Sequence, residues 1–182
     1  MRYLIVFLLT LQSFAQKQNE LPYYEILDDT EVYTPATTAA RMIDGLGFRY
    51  YWATEGLRLE DLAYKLGADS RTVAETIDHI YGLTKFFRNS VLKDNKDITT
   101  DELNFEAKRK QTLVNLKLVS DALKANNGAF DLASTEVPFW NLINGPLEDA
   151  VWHCGQVVML RRASGNPFIS NVSLFSGKVK NN

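Results

Sequence analysis

The chain has only one cysteine, Cys154, among its 182 residues, and only two histidines, His79 and His153. A single thiol excludes an intramolecular disulfide, so the hydrophobic core has to hold the fold. A long basic block is also missing, since 20 lysines and arginines against 22 acidic residues leave a net charge of −2. This balance argues against the electrostatic footprint of a nucleic-acid-binding protein, and we expect no nucleic-acid partner.

The apolar run near the first residue is short. Residues 3–11 are almost entirely apolar, follow Arg2, and precede Ser13 and Ala15. The run is about half of the roughly 20 residues that span a bilayer. This order predicts a signal peptide over residues 1–15, cleaved after Ala15, and a periplasmic or secreted protein. No cysteine stands directly after the run, so no lipid anchor is expected, and the shortness of the run argues against a stable membrane anchor. The alternative is a buried N-terminal helix or strand.

Hydrophobic residues make up 46% of the chain, enough for one buried core, and they recur at helical spacing. The pattern predicts four long helices, over residues 35–55, 71–92, 101–126 and 145–163. Because strand-like alternation is almost absent, we predict an all-α fold, a four-helix bundle over residues 35–167. An extended segment over residues 16–34 precedes it, and a polar tail over residues 168–182 follows.

Local signals mark the expected helix starts. Thr34 followed by Pro35 is typical of an N-cap with proline at the first helical position. Ser70 is the expected N-cap of the second helix, and Thr100 or Asp101 begins the third. Each of these residue types can accept a hydrogen bond from a free backbone N–H of the first turn.

Other signals mark ends and connections. The Asn-Asn-Gly sequence at 126–128 predicts the end of the third helix, and the Gly-Pro pair at 145–146 opens the fourth. Residues 129–144 are then a loop. Residues 57–70 form a long connection with one helical turn, and the tail is expected to be mobile from residue 178 onward.

The two histidines lie in the middle of predicted helices. Asp149 is four residues before His153, so both side chains leave one helix face, and Gln156 follows on that face. His79 can meet them, because metal sites in bundles are built from facing helices. Two imidazoles and one carboxylate make an open site for a divalent metal, with Zn, Ni and Fe(II) all suited. A bound metal would make a coordinated water or thiol nucleophilic near neutral pH.

Each of these residues also has an interpretation without a metal. The histidines can be core or surface residues with a satisfied hydrogen bond, and Asp149 can favour the positive end of its helix. Glu75, one turn before His79, is a fourth ligand, an acceptor that orients the imidazole, or a surface or capping carboxylate. Gln156 can reach the site by a hydrogen bond or serve helix packing.

Cys154 is next to His153 but does not form a catalytic pair with it. Adjacent helical residues diverge by about 100° around the axis. The neighbouring valines indicate an apolar environment, which raises a thiol pKa. We therefore expect an inert core thiol.

Two segments carry a family resemblance. The fourth helix reads GPLEDAVWHCGQVVMLRRASGNP and the second reads SRTVAETIDHIYGLTKFF. They resemble the corresponding helices of the DinB superfamily, whose fourth helix has an H-x-x-x-H-x-G-Q pattern and whose second helix adds a histidine. The resemblance covers residues 35–167. It implies a four-helix bundle of the DinB-like type, with His79 and His153 as metal ligands.

One ligand position departs from that pattern. Asp149 stands where the superfamily commonly has the first histidine of the fourth helix. Aspartate binds the same metals through oxygen, but it has a shorter reach and adds negative charge. The departure puts metal identity, affinity and activity in doubt.

The resemblance also sets the functional expectation. The superfamily is similar in fold to thiol-dependent transferases that act with cytoplasmic thiol cofactors, a supply that a signal peptide conflicts with. We expect an exported protein with a divalent-metal site that acts as a hydrolase or transferase on a small molecule. The alternative is a metal-free, non-catalytic binding or structural protein that retains the bundle. A homodimer is compatible with the resemblance, although the sequence does not fix its surface.

Overall fold

The computed structural model describes residues 21–27, 32–93 and 103–180. The signal peptide expected over residues 1–15 lies outside them. The described part is mostly helical, which confirms the all-α class, and no helix in it is long and apolar enough to cross a membrane. The α-helices are α1 (Pro35–Thr54), α2 (Leu59–Ala63), α3 (Val73–Leu92), α4 (Phe105–Gly128), α5 (Phe139–Leu142) and α6 (Glu148–Ala163). Short strands β1 (Val172–Ser173) and β2 (Lys178–Val179) follow.

The four long helices pack around one core. Helix α1 contacts α4 and α6, and α3 contacts the same two helices, so α1 and α3 lie on opposite sides. The side chains that fill the centre are buried and apolar, as expected for helices that each turn one face inward. They include Ile43, Leu46, Tyr50, Ile77, Ile80, Phe87, Leu113, Leu116 and Leu123. This packing places α3 directly against α6, the two helices that carry the histidines.

The starts of α1 and α3 show how local sequence fixes a helix end. Thr34 and Pro35 occupy the N-cap and first helical positions, as predicted. Helix α3 begins at Val73 with Thr72 as its N-cap, so the prediction of Ser70 is wrong by two residues. Glu75 explains the difference, because its carboxylate accepts from the Thr72 backbone and completes a capping box that Ser70 cannot form.

Helix α4 also starts later than predicted. Its N-cap is Asn104, whose side chain accepts from the Ala107 N–H at 2.9 Å, rather than Thr100 or Asp101. The predicted stop is confirmed, because residues 126–128 all have positive φ values. Backbone in this left-handed region ends a helix and is accessible mainly to Gly and Asn.

The predicted loop over residues 129–144 ends at residue 138, six residues earlier than expected. Residues 139–163 are helical throughout, as α5, a π-helical turn over Ile143–Leu147, and α6. Pro146 lies inside the π turn, and a proline has no N–H to donate to a regular helix. The wider turn accommodates it. Phe139 and Leu142 are buried, so apolar packing holds this segment against the core.

The terminal segments are more ordered than the sequence predicts. Tyr23 and Ile26, in the predicted extended segment, are buried, and Ile26 packs with Phe48 and Trp52 in a second apolar cluster. Strands β1 and β2 form an antiparallel hairpin, and the Ile26 N–H donates to the carbonyl of Gly177 at 2.8 Å. The tail expected to be mobile from residue 178 onward thus includes strand β2, which pairs with β1.

Candidate metal centre

The three predicted ligands meet between α3 and α6. His79 comes from the first half of α3, and Asp149 and His153 lie one turn apart at the start of α6. One ligand atom from each side chain lies within 4.8 Å of the other two. The predicted convergence of these residues is confirmed, and the cluster could hold a metal ion.

The Asp149 carboxylate lies between the two imidazoles. Its Oδ2 is 3.1 Å from Nε2 of His79, and its Oδ1 is 3.3 Å from Nε2 of His153. The two rings are nearly perpendicular, with centroids 4.7 Å apart. Both imidazoles therefore turn the same nitrogen toward one carboxylate, an arrangement that suits hydrogen bonds to the carboxylate or a shared cation.

Gln156 fixes the orientation of His153. The Nδ1 of His153 lies 2.8 Å from Oε1 of Gln156, an amide oxygen that only accepts. The Nδ1–H therefore donates, and in the neutral ring the Nε2 lone pair faces the Asp149 carboxylate. Two acceptors 3.3 Å apart repel unless a proton or a metal cation lies between them. The prediction that Gln156 reaches the site by a hydrogen bond is confirmed.

Glu75 has the capping role among those predicted for it. Its Oε2 accepts from the backbone N–H of Thr72 at 2.7 Å and from the Thr72 hydroxyl at 3.0 Å. These hydrogen bonds lower the pKa of the Glu75 carboxyl. The carboxylate is thus committed to capping α3, and the second-shell role toward His79 has no contact to support it.

Cys154 is buried on the far side of the same helix. Its side chain belongs to the apolar core, and burial raises the pKa of the thiol to about 12. Such a thiol stays protonated at neutral pH and is a poor nucleophile. The expected inert core thiol is confirmed.

The site is open to solvent on one side. The His153 side chain is only 12% exposed, whereas His79 and Asp149 are 34% and 38% exposed. A cleft of about 440 Å³ adjoins His153 and Gln156. Its lining includes His153 and Gln156, but neither His79 nor Asp149.

Two buried charged residues were missed by sequence reasoning. The guanidinium of Arg161 donates to the carbonyls of Trp52, Ala53 and Glu55 at the end of α1. Asp61, which is fully buried, joins α2 to the end of α6. These contacts fix α6, and with it Asp149 and His153, relative to the rest of the core.

A comparison of the chain with protein-family models, curated proteins and solved structures finds no match. What can be said of the site therefore follows from its own geometry.

Proposed function

We propose that this chain binds one divalent metal ion through His79, Asp149 and His153. One observation carries the proposal, namely the mutual approach within 4.8 Å of ligand atoms from two separate helices. Three protein ligands leave further coordination positions for water or substrate, as in catalytic rather than structural sites. Imidazole and carboxylate together suit Zn, Ni or Fe(II).

Two separations in the cluster support such an ion. Donors about 2.1 Å from a tetrahedral zinc lie about 3.4 Å from one another. Nε2 of His79 and Nε2 of His153 lie 3.1 and 3.3 Å from the two different oxygens of the Asp149 carboxylate, close to this value, and the ligand atoms of all three residues lie within 4.8 Å of one another. Gln156 adds the outer hydrogen bond that ligating histidines usually make.

We further propose that the fold is of the DinB-like four-helix type and that the protein is exported. The sequences of α3 and α6 and the packing of four long helices support the first part. The apolar run ahead of Ala15 supports the second. A homodimer would be compatible with the same resemblance.

The reaction we propose is hydrolysis or group transfer on a small molecule. A bound divalent ion lowers the pKa of a coordinated water and polarises a substrate oxygen. Gln156 would hold the His153 ring in place through its hydrogen bond to Nδ1. The adjoining cleft would admit the substrate.

One observation favours a second candidate. The His79–Asp149 hydrogen bond closes the cluster without a metal, if Nε2 of His79 carries a proton. A protein that uses these residues only to join α3 to α6 would be a metal-free binding or structural protein.

Metal titration of the full chain without an affinity tag separates the two candidates. For the metal-binding protein we expect one zinc per chain by calorimetry and elemental analysis. The substitution Asp149→Asn should weaken binding strongly, whereas Asp78→Asn, which removes an exposed carboxylate next to His79, should not. No zinc bound by a folded wild-type chain, or equal affinity in both variants, would reject the metal site.

A further inference from the structure

The cleft beside His153 has an apolar wall. Leu66 and Met159 line it with side chains that are 67% and 64% exposed, and the buried Leu160 also lines it. Large exposed apolar side chains that border a concave surface gain free energy when a ligand covers them. The cleft is thus suited to the apolar body of a small molecule.

The free hydrogen-bond donors of the cleft belong to Arg71 and Gln156. Arg71 lines it with an exposed guanidinium, and among the residues that the structure describes no carboxylate forms an ion pair with it. The Gln156 carbonyl accepts from His153, which leaves the Gln156 amide N–H groups free to donate. The hydroxyls of Ser70 and Thr76 already donate to backbone carbonyls, so they offer only lone pairs.

Glu75, an acid four residues after Arg71, is already committed. Glu75 lies in the field of Arg71 but does not line the cleft, and its carboxylate caps α3 through Thr72. A guanidinium presents N–H donors in a fork that matches a carboxylate. The free charge of the cleft is therefore positive, and its complement is an anion.

We propose that this cleft binds a small organic carboxylate with an apolar body. The carboxylate pairs with Arg71, and the apolar body lies along Leu66 and Met159 and reaches toward His153. If this carboxylate is the substrate, the inference rests on the proposed function. The binding of such an anion by the cleft is argued from the cleft alone.

The test is calorimetric binding of three probes of equal length, namely octanoate, octylamine and 1-octanol, to the full chain. The experiment is done on zinc-loaded and on chelator-treated protein. We expect octanoate to bind at least tenfold more tightly than octylamine. The substitution Arg71→Gln should weaken octanoate binding roughly three- to tenfold, as for one charge-assisted pair that is partly exposed, and leave 1-octanol unchanged.

Lys65→Gln is the matched control. It removes the same charge from the same connection, but Lys65 does not line the cleft and donates to the Ala68 carbonyl. Octanoate should bind this variant as it binds wild type. An equal loss of octanoate affinity in both variants would show that the general positive charge of this connection, and not Arg71, attracts the anion. That result, no loss of affinity with Arg71→Gln, or tighter binding of octylamine than of octanoate would overturn the assignment.

The zinc state of the protein keeps the two proposals apart. Arg71→Gln should bind zinc like wild type, because Arg71 is not one of the clustered ligands. Arg71-dependent octanoate binding in a chain that takes up no zinc would support the cleft and reject the metal site. Zinc binding without octanoate binding would support the metal site and reject the carboxylate site in the cleft.

Discussion

The imidazole of His153 and the amide of Gln156 form a 2.8 Å hydrogen bond along one face of α6. It places the ring proton on Nδ1 and directs Nε2 at Asp149, 3.3 Å away. About two turns of α6 therefore supply two members of the cluster, Asp149 and His153, and the side chain that orients His153.

This hydrogen bond leads to the first prediction. Gln156→Leu keeps the approximate shape but removes the acceptor, so zinc affinity should fall about 10- to 100-fold, the usual effect of losing an outer partner of a ligating histidine. Gln156→Glu keeps an acceptor at the same place and should retain most of the affinity. Calorimetric titration with zinc measures both. Full affinity in the leucine variant would show that Gln156 serves packing only.

The second prediction concerns the unusual acid in the site. Asp149→Asn removes the charge between two imidazoles, and zinc affinity should fall at least as much as for Gln156→Leu, on the order of 100-fold. Asp149→His supplies a third imidazole and should bind zinc more tightly than Asp149→Asn. Its preference should shift toward metals that favour nitrogen ligands, such as nickel. Competition between zinc and nickel on each variant tests this. The idea fails if the asparagine variant binds zinc as wild type does.

The site was readable from the sequence because its members lie at helical spacing. Asp149, His153 and Gln156 needed only the α6 periodicity, and His79 needed only the assumption that α3 faces α6. The same local signals could have placed the start of α3, since Thr72 and Glu75 form a capping box with the usual spacing. Ser70 fits only the N-cap preference, because the residue three positions later is Val73 and cannot complete a capping box.

The remaining features depend on contacts between distant residues. The hydrogen bonds that join Asp61 to Ser164 and Asn166 span more than 100 positions, and those of Arg161 with the end of α1 are similar. Neither residue stands out in its own helix, because a charged side chain at a helix end usually lies in solvent. The docking of Ile26 on the β1–β2 hairpin was invisible for the same reason.

Asp61 gives the third prediction. Its carboxylate accepts hydrogen bonds from Arg58, Ser164 and Asn166, with the Arg58 side chain as the strongest influence, and these donors hold its pKa well below the usual range. Asp61→Asn should lower the free energy of unfolding by about 2–4 kcal/mol, because a buried acceptor network is broken. Glu60→Gln, in the same helix but 65% exposed, should cost less than about 0.5 kcal/mol.

The pH dependence of this difference follows from the direction of the shift. A carboxyl whose pKa is lower in the folded than in the unfolded chain stabilises the fold fully above its unfolded pKa, about 3.9 for aspartate. That stabilisation is lost as the pH falls below this value. The stability gap between wild type and Asp61→Asn, measured by urea unfolding, should therefore be constant from pH 7 to 5 and narrow below about pH 4. A gap that does not change with acid would contradict the assignment.

The fourth prediction concerns the packing of the N-terminal segment on α1. A Cβ atom at Gly47 would lie 2.5–2.6 Å from three ring atoms of Tyr23, so Gly47→Ala should displace the buried ring and cost about 1–3 kcal/mol. Gly82, in α3, has no heavy atom within 4 Å of such a Cβ. Gly82→Ala should therefore be neutral or stabilise the protein by up to about 1 kcal/mol. The midpoint temperature of unfolding should fall for Gly47→Ala and stay unchanged or rise for Gly82→Ala. Equal shifts in the two variants would show that Tyr23 does not pack against Gly47.

The most direct test of the central claim is the zinc content of the full, untagged chain after chelator treatment, zinc reloading and gel filtration. We expect close to one zinc per chain in wild type and in Asp78→Asn. We expect no zinc in His153→Ala, provided that circular dichroism shows the same helix content as in wild type. A folded wild-type chain that leaves the column without zinc, nickel or iron after each has been offered would contradict it.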